Sequence, residues 1–293
     1  MPRMTTKPLI AITAGDPGGI GPEIIIKALS EPRVYRYCRP LVIGDAAVFR
    51  YWLRRLRRLS SGLALQVVDE GDDQILPRKA GVIPVLDIDS MDEEAMEPGR
   101  PTAVGGKASV LYIQKAAQLA LSGMVEGVCT APISKEAINL AGFPYQGHTE
   151  LLGKLCDTDD FGMMLAGKKI RVMLVTTHEA MVDVPKLITR EKVLRAIRLA
   201  HRGCRELGIE EPRIGLCALN PHGGESGLFG REEIDIIGPA AKMARDEGID
   251  VTPPLPADTL FVKVRQGMFD VAVVMYHDQG LIPLKMLSFG RAV

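Results

Sequence analysis

The stretch Val271–Lys285, "VAVVMYHDQGLIPLK", decides the fold class. Its first five residues, Val271 to Met275, are apolar without alternation, which is the pattern of a strand buried on both faces, as in a parallel sheet. The run then breaks into Tyr276, His277, Asp278 and Gln279, so a polar cluster sits where the strand surfaces. Runs of the same kind recur along the chain: "LIAIT", "PLVIG", "LALQVVD", "VIPVLDI", "VEGVCTA", "FGMMLA", "IRVMLVTT" and "RIGLCALN". Helical spacing of apolar residues lies between them, over Pro22–Leu29, Ala108–Ser122, Arg190–Leu207 and Glu232–Glu247. Strands alternating with helices predict an α/β architecture with a mostly parallel sheet covered on both faces.

At 293 residues the chain predicts two domains sharing a cleft. The acidic, Pro/Gly-containing segment Met91–Ser109, "MDEEAMEPGRPTAVGGKAS", is the expected break between them. Lys plus Arg and Asp plus Glu balance at 36 each, which argues against nucleic-acid or anionic-membrane partners. The one basic run, Phe49–Ser60, spaces Leu53, Leu56 and Leu59 on one helix face and Arg54, Arg55, Arg57 and Arg58 on the other, as a solvated helix does. Five scattered cysteines form no C-x-x-C pair and read as reduced thiols. With no leader-like segment or membrane-length apolar stretch, the expectation is a soluble, cytoplasmic protein.

In such sheets ligands gather outside the carboxyl ends of the strands. His178 follows "VMLVTT", His222 follows "IGLCALNP" and His277 follows "VAVVMY", so three of the five histidines stand at strand ends. Imidazoles converging on one rim can hold a divalent transition metal with positions open to substrate. Spacing alone leaves the alternative open, that each is simply hydrogen-bonded. A neutral ligand set leaves the ion its full charge, which suits Lewis-acid polarisation of a hydroxyl or carbonyl oxygen. "AGDPGGIGPE" (Ala14–Glu23) is a tight turn or an anion cradle leading into a helix at Pro22. It is not G-x-G-x-x-G, because Ile24 takes the third glycine's place, and "GGKAS" fails as a Walker loop at Ala108. "LNPHGGESGLFGREE" (Leu219–Glu233) is a glycine-rich strand-to-helix loop of functional composition. Asp258 after Pro256 reads as a helix cap, and Lys285 and the His148–Thr149 pair could each meet a phosphate or carboxylate.

Taken together, "GDPGGIGPEI", "TAPISKEAINLAGF", "GHTELL", "MMLAGKKIRVMLVTTH", "LNPHGGESGLFGREE", "PLPADTLF" and "YHDQGLIPLKMLSFGR" resemble the 4-hydroxythreonine-4-phosphate dehydrogenase family, in the family's order from Ile12 to Val293. The resemblance implies two α/β/α domains around a cleft, of the isocitrate/isopropylmalate dehydrogenase type and not Rossmann, in a homodimer with the active site at the subunit interface. It implies a first domain of residues 1–128 plus 270–293 and a second of 129–269. It places metal ligands on His178, His222 and His277, which need not come from one chain, and substrate contacts on His148, Thr149 and Lys285. Asp258 and His148 are the candidate proton handlers, with the choice open; the cofactor contacts are not assigned. The implied cofactors are NAD or NADP and one divalent ion, zinc, magnesium, cobalt or manganese.

The reaction implied is oxidation of 4-phosphooxy-L-threonine at C3 to 2-amino-3-oxo-4-phosphooxybutanoate, which decarboxylates to 3-amino-2-oxopropyl phosphate, in pyridoxal phosphate (vitamin B6) biosynthesis. The alternatives are the paralogous 4-phospho-D-threonate or 4-phospho-erythronate dehydrogenases, and an inactive metal- or phosphate-binding homologue. Two features depart from the family pattern. Gly18 stands where alanine is common, and the sequence ends at "FGRAV" (Phe289–Val293), where the family continues with an asparagine and an arginine of the phosphate site, so weakened substrate binding is expected.

Overall fold

The computed structural model of the chain describes residues 7–56, 62–70, 81–145 and 147–293. It divides into two compact units, Met1–Asp159 and Asp160–Val293. Each of the nine apolar runs becomes a strand. The first unit holds β1 (Leu9–Thr13), β2 (Arg39–Gly44), β3 (Ala64–Val68), β4 (Val82–Asp87) and β5 (Gly127–Thr130), parallel throughout in the order β3-β4-β2-β1-β5. The second holds β6 (Met164–Ala166), β7 (Arg171–Leu174), β8 (Ile214–Leu216) and β9 (Val271–Val274), in the order β6-β7-β9-β8, with only β6 antiparallel.

The expected division is corrected here. β9 lies inside the second sheet, in register with β7 and β8, so residues 270–293 do not return to the first unit. The first unit also runs on past residue 128, because the helices Lys135–Leu140 and His148–Leu155 pack on the long helix Ala103–Leu121 through Val110, Ile113, Ile138 and Leu151. Nor is Met91–Ser109 a break: Met91 and Met96 are buried in the first core, and Thr102 caps the helix Ala103–Leu121 by accepting the Gly105 N–H at 3.0 Å. That cap starts the helix five residues before the predicted Ala108. In the basic run, Leu53 and Leu56 pack against the first core and Arg54 pairs with Glu93, whereas Arg57, Arg58 and Leu59 lie outside the described residues.

Strand β9 shows why its sequence is apolar without alternation. Its residues are all buried, and they feed two different cores. Val271 and Val273 join the cluster of Ile197, Ala200 and Ala241 from the helices Arg190–Glu206 and Gly238–Asp246. Ala272 and Val274 point the other way, into the cluster of Leu260, Leu281 and Leu284 from the helices Ala257–Arg265 and His277–Ser288. Gly280 lets the last of these helices lie close on the sheet, since a Cβ there would come within 2.4 Å of the Val172 side chain. Among the described residues no helix is long and apolar enough to cross a membrane.

Where β7, β8 and β9 end, their backbone groups still need partners, because Thr176, Ala218 and Met275 are buried there. The Thr176 hydroxyl donates to the Met275 carbonyl at 2.7 Å, joining the segments that leave β7 and β9. The buried Gln279 amide joins β9 to β8: its Oε1 accepts the Met275 N–H and its Nε2 donates to the Ala218 carbonyl, both at 2.7 Å. Replacing Gln279 by alanine strands one buried donor and one buried acceptor, each costing about 1–3 kcal/mol. Urea denaturation of Gln279→Ala should therefore show a loss of about 2–6 kcal/mol, and an unchanged midpoint would show that the bridge carries no weight.

Candidate active site

The ends of β7, β8 and β9 deliver His178, His222 and His277, as their sequence positions predict. Because β7 and β9 are neighbours, His178 and His277 emerge side by side, with ring centroids 5.4 Å apart. The His277 Nδ1 lies 2.7 Å from Asp278 Oδ1. A carboxylate oxygen accepts, so Nδ1 is the donor of this contact and Nε2 is the ring nitrogen it leaves available to a metal ion or a proton. His178 is exposed and His277 half-buried.

His222 behaves differently. It lies in a run, His222 to Ser226, whose φ values are all positive: 54°, 70°, 80°, 41° and 57°. Gly223 and Gly224 adopt this left-handed conformation freely, while His222, Glu225 and Ser226 each pay about 1–2 kcal/mol for it. The buried Glu233 carboxylate holds the base of this turn, accepting the N–H groups of Leu219 and Asn220 at 2.8 Å and the Asn220 side-chain amide at 3.0 Å. The His222 ring lies beside Phe229, centroids 6.4 Å apart. Among the described residues no three His, Cys, Asp or Glu side chains are gathered so as to hold a metal ion. A single chain thus assembles a pair of histidines, and the expected triad is not complete within it.

Asp258 is not the expected helix cap. The helix begins at Ala257, so the cap position falls on Pro256, and Asp258 sits exposed in the first turn, its Oδ1 accepting the Thr259 N–H at 2.8 Å. Its charge reaches the end of β8, where it adds to the burial that pushes the Cys217 thiol far up. Burial likewise raises the Tyr276 phenol, with Cys217 and Asp278 contributing. Lys285 is exposed on the helix that His277 opens, about 12 Å further along its axis.

His148 and Thr149 belong to the first unit, in the opening turn of the helix His148–Leu155, where N–H groups without helical partners favour an anion. The His148 Nε2 is buried with no hydrogen-bond partner, and burial lowers the ring's pKa, opposed in part by a hydrogen bond with the Ala131 backbone. At neutral pH this imidazole is uncharged. The "AGDPGGIGPE" segment favours the plain turn over the anion cradle: the Gly18 N–H is taken by Asp16 Oδ1 at 3.0 Å and the Gly19 N–H by the Asp16 carbonyl at 2.9 Å. Gly21 is required there, since a Cβ would come within 2.2 Å of the Ala14 carbonyl. Burial raises the Asp16 pKa, while the Gly18 hydrogen bond lowers it.

Thr176, Asn220 and Glu233 escaped the sequence reading, which named Gln279 only as part of the polar cluster after β9 and gave it no role. For Thr176, Gln279 and Asn220 the available signal was chemical, a polar residue two positions from a strand-end histidine; Glu233, eleven positions past His222, had no such mark.

The chain matches the family described as pyridoxal phosphate biosynthetic protein PdxA over residues 36–293. It is 50% identical over 288 residues to the 4-hydroxythreonine-4-phosphate dehydrogenase of Geobacter metallireducens, covering 98% of this chain and 84% of that protein. It is 42% identical over 291 residues to the D-threonate 4-phosphate dehydrogenase of Cupriavidus necator, covering 98% of this chain and 84% of the relative. The crystal structure of the 4-hydroxythreonine-4-phosphate dehydrogenase from Klebsiella pneumoniae superposes with a TM-score of 0.89 at 40% identity, covering 98% of this chain and 87% of that one. With a matching fold and a family match over residues 36–293, this chain belongs to the PdxA family.

Proposed function

We propose that the chain is an NAD(P)-dependent dehydrogenase that oxidises 4-phosphooxy-L-threonine at C3. The observation that carries this reading is its 50% identity to a relative named for that activity, along 98% of the chain. Bound NAD(P) would supply the acceptor for the hydride of C3, and the hydroxyl proton would pass to a base, for which Asp258 and His148 are the candidates. The product is a β-keto acid, which loses carbon dioxide and takes up a proton to give 3-amino-2-oxopropyl phosphate. His148 is suited to a neutral role, donating or accepting a hydrogen bond without charge, because burial disfavours its protonated form. Lys285 offers a cation for the substrate phosphate, and Thr149 a hydroxyl together with the helix N-terminus. The second reading, oxidation of 4-phospho-D-threonate, is favoured by 42% identity to a relative named for it.

The histidine pair fits two ligands of a divalent ion, and among the described residues no third His, Cys, Asp or Glu side chain joins it, so in the metal reading His222 would come from a second copy. When bound, such an ion would supply Lewis-acid polarisation of the substrate oxygen. Each histidine-bearing segment carries exposed apolar side chains that support a homodimer: Val182 after His178, 73% exposed; Leu228 after His222, 73%; and Met286 after His277, 81%. In sedimentation velocity, the wild-type chain should run as a dimer and Val182→Glu/Leu228→Glu as a monomer; a monomeric wild type would overturn the shared-site reading.

Reduction of NAD and NADP, followed spectrophotometrically with each phosphorylated hydroxy acid before and after chelation, tests the activity. Turnover of 4-phosphooxy-L-threonine that chelator abolishes is expected; turnover of the D-threonate ester alone would select the second reading, and none with any substrate would sink both. Protonation of His148 gives a further expectation. Its folded pKa lies below the unfolded 6.5, so the unfolded chain takes the proton first, and stability present above 6.5 is lost as pH falls below it. Urea midpoints of His148→Gln should depend less on pH than wild type between about pH 7.5 and about pH 5.5.

A further inference from the structure

We infer that Glu233 is the positioning residue for His222, fixing the left-handed turn from which that imidazole is presented. This rests on the reading of His222 as a site residue. Glu233 is one of three carboxylates buried to less than a tenth exposure among the described residues, with Asp16 and Asp45. Asp16 folds its own turn, and Asp45 is bound by the Tyr112 and Ser90 hydroxyls at 2.6 and 2.8 Å, far from any strand-end histidine in sequence. Glu233 alone reaches back across 13 and 14 positions to the backbone just ahead of a candidate site residue.

The glycines of the loop make room for it. A Cβ at Gly224 would come within 2.7 Å of Glu233 Oε2, and one at Gly230 within 2.5 Å of both the Asn220 side-chain nitrogen and Glu232 Oε2. Gly238 is under the same constraint, 2.7 Å from the Glu233 carbonyl, where the helix opens as a π turn over Glu233–Ile237. Gly224 therefore leaves room for the Glu233 carboxylate, and Gly230 for the Asn220 amide and the Glu232 carboxylate. Oε1 takes two backbone N–H groups at once, Leu219 and Asn220, and Oε2 takes the Asn220 amide, which is also bound to Glu232 at 2.7 Å. No neutral side chain of that length offers the same three acceptances, since a glutamine must turn its NH2 group towards one of these donors.

From Asn220 only Pro221 separates this anchor from His222. The left-handed run that begins at His222 is unfavourable by itself, so it persists where the surroundings over-determine it. The anchor at its base supplies that constraint, and the ring's place beside Phe229 follows from it.

Glu233→Ala and Glu233→Gln, each alone and with His222→Ala, test the assignment in the full chain. Amide exchange and the His222 ring resonances in NMR need neither metal nor substrate, and dehydrogenase turnover adds a functional readout. In Glu233→Ala the Leu219 and Asn220 amides should exchange at least about ten-fold faster, the His222 ring signals should shift, and kcat/KM should fall about 10–100-fold. Glu233→Gln, which keeps an acceptor for the two backbone amides, should recover most of that protection. The double variant His222→Ala/Glu233→Ala should be no worse in turnover than His222→Ala, as expected of two residues acting through one position. Unshifted His222 signals in both Glu233 variants, or losses that multiply in the double variant, would overturn the proposal. A wild type inactive on every substrate would instead remove the functional reading, while the His222 signals would still decide whether Glu233 holds the turn.

Discussion

The second unit depends on how three parallel strands stop. Inside a sheet each N–H and C=O has a neighbour, but β7, β8 and β9 end within a few residues of one another and their chains then diverge. Water does not reach all of that region, so side chains must supply the missing partners. Thr176 and Gln279 do so: a hydroxyl and an amide span three chain segments with bonds of 2.7 Å. Once this is fixed, the residues that follow each strand are aimed by it. His178 and His277 then lie 5.4 Å apart because their strands are neighbours and their exits are tied at Met275.

The same geometry explains the glycines. Gly280 brings the helix opened by His277 down on Val172 and Val274, where any Cβ would collide with both side chains. In the first unit, Gly106 does this between helices, since a Cβ there would meet the Ala137 carbonyl at 2.0 Å. These are close approaches inside ordinary helices, not turns. Conformational freedom is at issue elsewhere, in the left-handed run of Gly223 and Gly224.

Strand existence was legible because a parallel sheet covered on both faces writes an unbroken apolar run, and Val271 to Met275 is the clearest case. Which sheet a run joins was not, because an apolar strand carries no mark of its neighbours. Residues 270–293 were therefore assigned to the first unit on family likeness, while register puts β9 between β7 and β8. Helix starts were legible where proline marks them, as at Pro22, and misplaced where the cap is a threonine before a glycine pair, as at Thr102. The histidines stood out by position, and their supports did not. Glu233 lies beside Glu232 in sequence, yet only Glu233 is buried and takes the Leu219 and Asn220 backbone N–H groups, while Glu232 is half-buried and takes only the Asn220 side-chain amide, a difference that only the folded loop creates.

A pair of imidazoles with a third held elsewhere is an informative arrangement. Three neutral donors built permanently around an empty space in one chain would leave buried lone pairs without partners whenever no ion was bound. Keeping His222 exposed on its own anchored turn avoids that cost in the isolated chain, since water solvates the ring. In the proposed homodimer, covering the exposed Val182, Leu228 and Met286 by a second copy would favour association at about 25 cal/mol per Å² of apolar surface. Under the proposed function, association and completion of the ligand set would become one event. An ion that binds only the assembled pair stabilises that pair by mass action, and the pair in turn raises affinity for the ion.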